Sequence, residues 1–288
     1  MNIFKPQELK KLYTPESASN GEDNGQITIV GGSSLFKGAP LFSLKAASRI
    51  VDMVFFTSPE RSMQKVVEYM HATLPSFVWV PFEEVKKYIE KSDAVLIGPG
   101  FMRFKSENTP HNARTHLCDE ACQLTRNTTK ALLDAFPNKK WVIDAGSLQS
   151  IDVDWIPKSA VVTPNKKEFE MLFGEKPNAE KLEEQVQFFA AKYQCIIVLK
   201  GEITVVASPT QVVSVKGGNA GLTKGGTGDT QAGLTAALLA KNDPFLAAAA
   251  AAYVIKKSAD EIHSRVGVYF NADDVAEEVP RVLASLTA

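Results

Sequence analysis

The residues best suited to chemistry stand together at Gly225-Gly226-Thr227-Gly228-Asp229-Thr230, ahead of the run Gln231-Ala232-Gly233-Leu234-Thr235-Ala236-Ala237-Leu238-Leu239. Glycines let several backbone N–H groups converge on one point, and the helix that follows adds the positive end of its dipole. Such a turn stabilises phosphate oxygens without needing a lysine. Asp229 falls in the first helical turn, where a carboxylate can cap the helix or accept a proton from a substrate hydroxyl beside the phosphate. The segment alone leaves both roles open. The chain has no Gly-x-x-x-x-Gly-Lys-Ser/Thr, so a P-loop is not supported. Gly98-Pro99-Gly100 gives the first two glycines of a dinucleotide fingerprint, but Arg103 stands where the third belongs.

Elements that could position such a turn recur along the chain. Apolar runs at Ile27–Val30, Met53–Phe56, Phe77–Val80, Ala94–Ile97, Trp141–Ile143, Val161–Val162 and Cys195–Leu199 predict strands. They are continuous rather than alternating, so both faces are expected to be covered by helices, as in a parallel sheet. Helices are predicted over Pro40–Val51, Glu60–His71, Phe82–Ile89, Asp229–Ala240, Pro244–His263 and Asp273–Leu286, and a hairpin over Ile203–Ala207 and Val212–Val215. Ligands bind at the carboxyl ends of strands in an open parallel sheet. Bare-backbone or polar motifs follow the strands there: Gly31-Gly32-Ser33-Ser34, Gly98-Pro99-Gly100, Asp144-Ala145-Gly146, Thr163-Pro164-Asn165 and Lys200-Gly201. Residues 1–26 read as an N-terminal arm, residues 1–288 as one domain, and Phe101–Arg126 as a long irregular excursion.

Composition sets the class. The 288 residues are 44% hydrophobic and 23% charged, as in an ordinary globular protein. Lys plus Arg is 32 against 33 Asp plus Glu, for a net charge of -1, which argues against a nucleic-acid coat or a polybasic membrane surface. The longest apolar stretch, Leu246–Ile255, is about half of what spans a bilayer and reads as a buried helix. No secretory signal is read at the N-terminus. Cys118, Cys122 and Cys195 are an odd, sparse set and not a disulfide framework. The expected location is the cytoplasm or another reducing compartment.

Taken in order, Gly31-Gly32-Ser33 with Gly38-Ala39-Pro40, Gly98-Pro99-Gly100, Thr163-Pro164 with Glu168-Phe169, Lys200-Gly201 with Thr204, Asn219 with Gly221, and Gly-Gly-Thr-Gly-Asp at 225–229 form a set. This set resembles the ADP/ATP-dependent NAD(P)H-hydrate dehydratase family of the ribokinase-like superfamily. The resemblance covers nearly all of the chain after the arm. It implies an α/β, ribokinase-like three-layer fold, with a central, mostly parallel sheet flanked by helices. It implies repair of NADHX and NADPHX, the hydrated reduced nicotinamide cofactors, using ATP or ADP with Mg2+. By family pattern Asp229 takes the hydroxyl proton, and backbone groups of Gly226, Thr227 and Gly228 form the anion hole. Lys200, Gly201, Thr204 and Gly228 lie against the nucleotide, and Ala39, Gly100, Asn165 and Asp229 face the substrate. No direct metal ligand is assigned. The family often forms tetramers, so a homo-oligomer is expected, with no nucleic-acid or membrane partner.

The chain departs from the family pattern in places. Asn165 replaces a histidine, Gly146 an aspartate, Phe101-Met102 a Leu-Gly pair, and Lys224 a smaller residue. Asn165 keeps hydrogen bonding but carries no charge. Two alternatives remain open at this point: a ribokinase-like kinase of a sugar or vitamin-precursor hydroxyl, and a nucleotide-binding protein that has lost catalysis. Other residues take plainer readings. His111, His116, Cys118 and Cys122 are close in sequence, but their spacing matches no standard zinc site. His71 and His263 read as surface or helix-end residues, Lys37 as a solvated loop lysine, and Lys166-Lys167 and Lys256-Lys257 as solvated helix faces. Asp144 reads equally as a turn cap or a polar group of the site. Ala247–Ala252 reads as core packing before subunit contact.

Overall fold

A computed structural model describes residues 2–103 and 118–287. Among the described residues, nine strands form one sheet: β1 Gln26–Val30, β2 Met53–Thr57, β3 Val78–Trp79, β4 Ala94–Ile97, β5 Lys140–Ile143, β6 Val161–Val162, β7 Ile196–Leu199, β8 Thr204–Ala207 and β9 Val212–Val215. The spatial order is β3-β2-β1-β4-β5-β6-β7-β8-β9. Every pairing from β3 to β7 is parallel, and the β7–β8 and β8–β9 pairings are antiparallel. The expected hairpin is therefore present at one edge of a parallel sheet.

Among the described residues the helices are α1 Gly38–Ala47, α2 Met63–Met70, α3 Val85–Lys91, α4 Glu120–Ala135, α5 Ala145–Ser150, α6 Lys166–Phe173, α7 Leu182–Tyr193, α8 Thr227–Lys241, α9 Pro244–Val266 and α10 Ala272–Thr287. They cover both faces, as the continuous apolar strands require. Side chains of a strand alternate between faces, and the two cores divide accordingly. Ile29, Leu96, Val142 and Val198 join residues of α1, α2, α8, α9 and α10 in one core. Val30, Ile97, Ile143 and Ile197 join residues of α3, α4, α5, α6 and α7 in the other. This is the α/β three-layer fold expected.

The chain runs from β1 outward to β2 and β3, then returns to place β4 on the other side of β1. Strand order thus reverses between β1 and β4, which opens a crevice at their carboxyl ends. The five polar motifs follow β1, β4, β5, β6 and β7, which are consecutive in the sheet and parallel, so all five lie along one edge.

Within the N-terminal arm a 3-10 turn spans Pro6–Lys11, and Phe4 and Leu9 are buried in the first core. Several expectations are corrected. The irregular excursion ends earlier than expected, because α4 begins at Glu120 with the Asp119 side chain capping the Cys122 amide. Cys118 and Cys122, read from the sequence as part of no disulfide framework, form one disulfide with Cα atoms 5.3 Å apart. Cys118 lies just ahead of α4 and Cys122 in its first turn, which brings them within bridging range. His111 and His116 lie outside the described residues. Lys256 is buried rather than solvated. Ala247–Ala252 are fully buried within this chain, so their small size serves close helix packing. Among the described residues, no helix is long and apolar enough to cross a membrane.

Candidate active site

The strand-end motifs interlock. Gly32 N–H donates to the Pro99 carbonyl at 2.8 Å, tying the β1 loop to the β4 loop. Gly98 has φ +117°, and a Cβ there would stand 1.9 Å from the Asp144 carbonyl oxygen, so only glycine lets the β4 and β5 loops approach this closely. Lys200 N–H donates to the Pro164 carbonyl at 2.8 Å and closes the row at β7.

On this edge α8 follows its N-cap Gly226, which supplies no side-chain cap. The first i→i−4 bond of the helix runs from Thr230 N–H to the Gly226 carbonyl at 2.9 Å, so the amides ahead of it stand at the positive helix end. Gly226 has φ +94°, and a Cβ there would lie 2.5 Å from the Phe42 ring and 2.8 Å from Ala272 Cβ. The turn is therefore wedged between α1 and α10. Gly226→Ala is expected to cost about 2–3 kcal/mol through strain and overpacking. Gly225→Ala, where a Cβ meets nothing within 4 Å, is expected to leave the melting temperature nearly unchanged. Thermal melts of the two variants check the pair.

The Asp229 carboxyl lies at the third position of α8, and its main-chain carbonyl accepts from Ser43 Oγ of α1 at 2.8 Å. Burial, then the neighbouring Asp144, push its carboxyl up to about 7, although Lys200 pulls the other way. Lys200 Nζ donates to Asp144 Oδ1 at 2.9 Å, and a Cβ at Gly228 would lie 3.4 Å from that ammonium. The ammonium thus rests against the glycine turn. Burial alone would lower the Lys200 pKa, but Asp144 and Glu168 outweigh it and hold the group well above the usual lysine range.

Asp144, only 1% exposed, also accepts from Thr163 Oγ1 at 2.6 Å. It makes no cap bond to α5, so of its two sequence readings the polar role is the one it fills. Asn165 caps α6: its Oδ1 accepts from the Lys167 and Glu168 amides at 2.9 and 3.0 Å. Glu168 Oε2 accepts from Asn165 N–H at 2.8 Å and Oε1 from Gln149 Nε2 at 2.8 Å. Burial drives the Glu168 carboxyl upward, and Lys200 opposes the shift.

The other predicted residues fall around this group. Gly100 packs under the Phe36 carbonyl and Pro40, which places it beside Ala39 at the start of α1. Gly201 follows Lys200, and Thr204, 3% exposed, donates its hydroxyl to the Gly201 carbonyl at 3.4 Å. Thr204 therefore braces the turn from beneath. Two of the departures from the family pattern touch each other: a Cβ at Gly146 would lie 2.2 Å from the Phe101 carbonyl oxygen and 2.7 Å from its Cβ. Phe101 is buried, so no side chain fits at 146. Lys224 donates to the Val268 and Phe270 carbonyls and fixes the loop ahead of α10. Two clefts elsewhere, one beside Ala179–Glu184 and β8 and one between the arm and β9, are lined by no residue of the Asp229 group.

A family model described as NAD(P)H-hydrate dehydratase matches residues 27–281. The chain belongs to the NAD(P)H-hydrate dehydratase family. Within it, the chain is 32% identical to the bifunctional NAD(P)H-hydrate repair enzyme Nnr of Methanocaldococcus jannaschii, over 96% of this chain and 51% of that protein. It is 30% identical to the ADP-dependent (S)-NAD(P)H-hydrate dehydratase of Cenarchaeum symbiosum, over 91% of this chain and 89% of the relative. The chain spans about half the length of the bifunctional relatives it matches. The fold is shared with the Bacillus subtilis ADP/ATP-dependent NAD(P)H-hydrate dehydratase co-crystallised with ATP and Mg2+, with a TM-score of 0.77, 22% identity, and coverage of 99% of this chain and 98% of that one.

The sequence singled out Asp229, the glycine turn, Lys200 and Gly201 of this group. It gave no role to Thr163 or Ser43, and it named Glu168 only as part of a motif. The Asn-x-x-Glu spacing at 165–168 is a capping-box signal that could have located α6.

Proposed function

We propose that the protein dehydrates NADHX or NADPHX at the expense of ATP or ADP. The observation that carries the reading is the Asp229 carboxyl, at a helix N-terminus whose glycine turn rests against the Lys200 ammonium. Hydroxide is a poor leaving group, and phosphorylation converts it into a good one. In this reading the amides of Gly226, Thr227 and Gly228 hold the phosphoryl oxygens, and Lys200 steadies the charge that spreads over them. Asp229 takes the proton of the substrate hydroxyl as its oxygen bonds to phosphorus and the nucleotide departs. Phosphate then leaves with the C–O electron pair, loss of a neighbouring proton follows, and the ring double bond returns.

Ala39, Gly100 and Asn165 border the substrate, and Gly201 and Thr204 shape the nucleotide side. Mg2+ would enter with the nucleotide and would supply positive charge to its phosphates. Of the carboxylates beside the turn, Asp144 is engaged by Thr163 and Lys200 and Glu168 by Asn165 and Gln149, and Asp229 is assigned to the hydroxyl proton. We therefore assign the ion to the nucleotide phosphates and name no protein ligand. The same reading takes 1–288 as one ribokinase-like domain with its arm at 1–26, working in the cytoplasm as a homo-oligomer.

The test is incubation of the purified protein with NADHX or NADPHX and either ATP or ADP. NAD(P)H absorbance and free phosphate are expected to rise in equal amounts. A stable phosphoester without NAD(P)H would instead make the protein a hydroxyl kinase. Nucleotide binding without turnover on either substrate would make it a lapsed enzyme.

A further inference from the structure

Lys256 lies in the middle of α9 and is 6% exposed. Its Nζ donates to the carbonyls of Gly201 at 3.1 Å, Glu202 at 2.8 Å and Gly217 at 3.0 Å. An ammonium has three donors, and all three are used on main-chain oxygens. Burial lowers its pKa, and Asp260 and Glu202 act against that shift. One turn further along, Asp260 Oδ2 accepts from Gly218 N–H at 2.9 Å and Oδ1 from Asn219 Nδ2 at 3.2 Å. Packing is close as well, because a Cβ at Gly218 would lie 3.1 Å from Lys256 Cγ.

Lys256 and Asp260 thus hold two separate loops against one helix. The first loop, 200–202, carries the ammonium that rests on Gly228. The second, 217–219, leads through a 3-10 turn at Ala220–Thr223 into the glycine turn. A buried charge is costly unless its partners offset that cost, and an apolar residue would satisfy a purely mechanical joint. Here three carbonyl dipoles converge on the charge from the two loops that flank the phosphate position.

We infer that Lys256 is a positioning residue for the nucleotide, an internal cation that sets the spacing between the Lys200–Gly201 loop and the glycine turn. The inference rests on the nucleotide reading given above. It acts through the loops and leaves the proton transfer at Asp229 alone. Loss of the charge should therefore weaken nucleotide binding more than it slows the chemical step. A small free cation should be able to take its place between the carbonyls.

The test is calorimetric titration with Mg·ADP and Mg·ATP, paired with steady-state rates on NADHX. Lys256→Met is expected to raise the nucleotide Kd and KM about tenfold, which corresponds to about 1.4 kcal/mol, with a smaller change in kcat. In Lys256→Ala, methylammonium is expected to restore binding, and bulky tetramethylammonium is not. Lys257→Met is the control, since Lys257 pairs with Glu261 at 2.5 Å on the surface, and wild-type values are expected. If the Lys256 variants do not fold, Asp260→Asn decides, because it retains shape, loosens the 217–219 loop and removes the negative charge that supports the Lys256 ammonium; a raised nucleotide KM is expected there. Wild-type Kd and KM in Lys256→Met overturn the inference, as does a raised Kd that methylammonium leaves unchanged. For Asp260→Asn, a wild-type KM has the same consequence. Failure of the wild-type protein to bind any nucleotide instead overturns the functional reading, and this inference with it.

Discussion

Asp229→Asn is expected to lower kcat/KM by roughly 10²–10⁴-fold, the usual contribution of a positioned general base, while nucleotide still binds. The amide keeps the size and polarity of the side chain but cannot take a proton. The wild-type pH profile should show the same group. Burial and Asp144 place its carboxyl at about 7, so kcat/KM should rise as pH passes through about 7 and then level off. The rise should be absent from whatever activity the variant retains.

Stability should move in the opposite direction. The folded protein binds this proton more tightly than the unfolded chain, where the ordinary value is 3.8. The wild type therefore loses stability as pH climbs from about 4 to about 7, and the loss is complete above that range. Asn carries no charge at any pH. Asp229→Asn should therefore match the wild type at pH 4 and exceed it at pH 8, by on the order of 2–4 kcal/mol. Melts at the two pH values read the difference directly. Full turnover in the variant would remove Asp229 from the mechanism, and equal melts at pH 8 would mean that its charge is not strained in the fold.

The sequence makes the sheet legible because its strands are short, continuous apolar runs that end in glycine or polar residues. That rule located the runs at β1, β2, β4, β5, β6 and β7, and the crevice followed from their shared edge. Helices α4, α5, α6 and α7 were not located. Their apolar positions are interspersed with polar ones, as in Lys166–Phe173, and the strongest local sign of α6 is a pair of polar residues, Asn165 and Glu168. Lys256 was misread for a related reason. Lysine beside lysine signals a solvated face only when no main-chain oxygens await it, and the carbonyls of 201, 202 and 217 come from segments about 40–55 residues away. Gly146 looked like a lost carboxylate. Its reason is Phe101, which no reading of 144–146 alone could supply.

Lys200→Met should have an effect comparable with that of losing Asp229, by a different route. Lys200 is the counter-charge for Asp144, and it also draws on Glu168 and Asp229. Removing it leaves Asp144, only 2% exposed at its side chain, with the Thr163 hydroxyl still donating to it. Breaking one side of a buried pair destabilises by about 3–5 kcal/mol, because the other charge stays behind. The phosphoryl oxygens also lose their neighbouring cation, which should cost roughly 10²–10³-fold in kcat. The third consequence separates this variant from a simple loss of fold. Lys200 is the neighbouring charge that holds the Asp229 carboxyl down, so without it the midpoint of the kcat/KM profile should move above about 7. Adding Asp144→Asn removes the stranded charge and should recover much of the stability while recovering little of the turnover. Such a split would mean that the ammonium serves the fold through Asp144 and the reaction through the glycine turn. A double variant that regained both together would leave Lys200 with only a structural role.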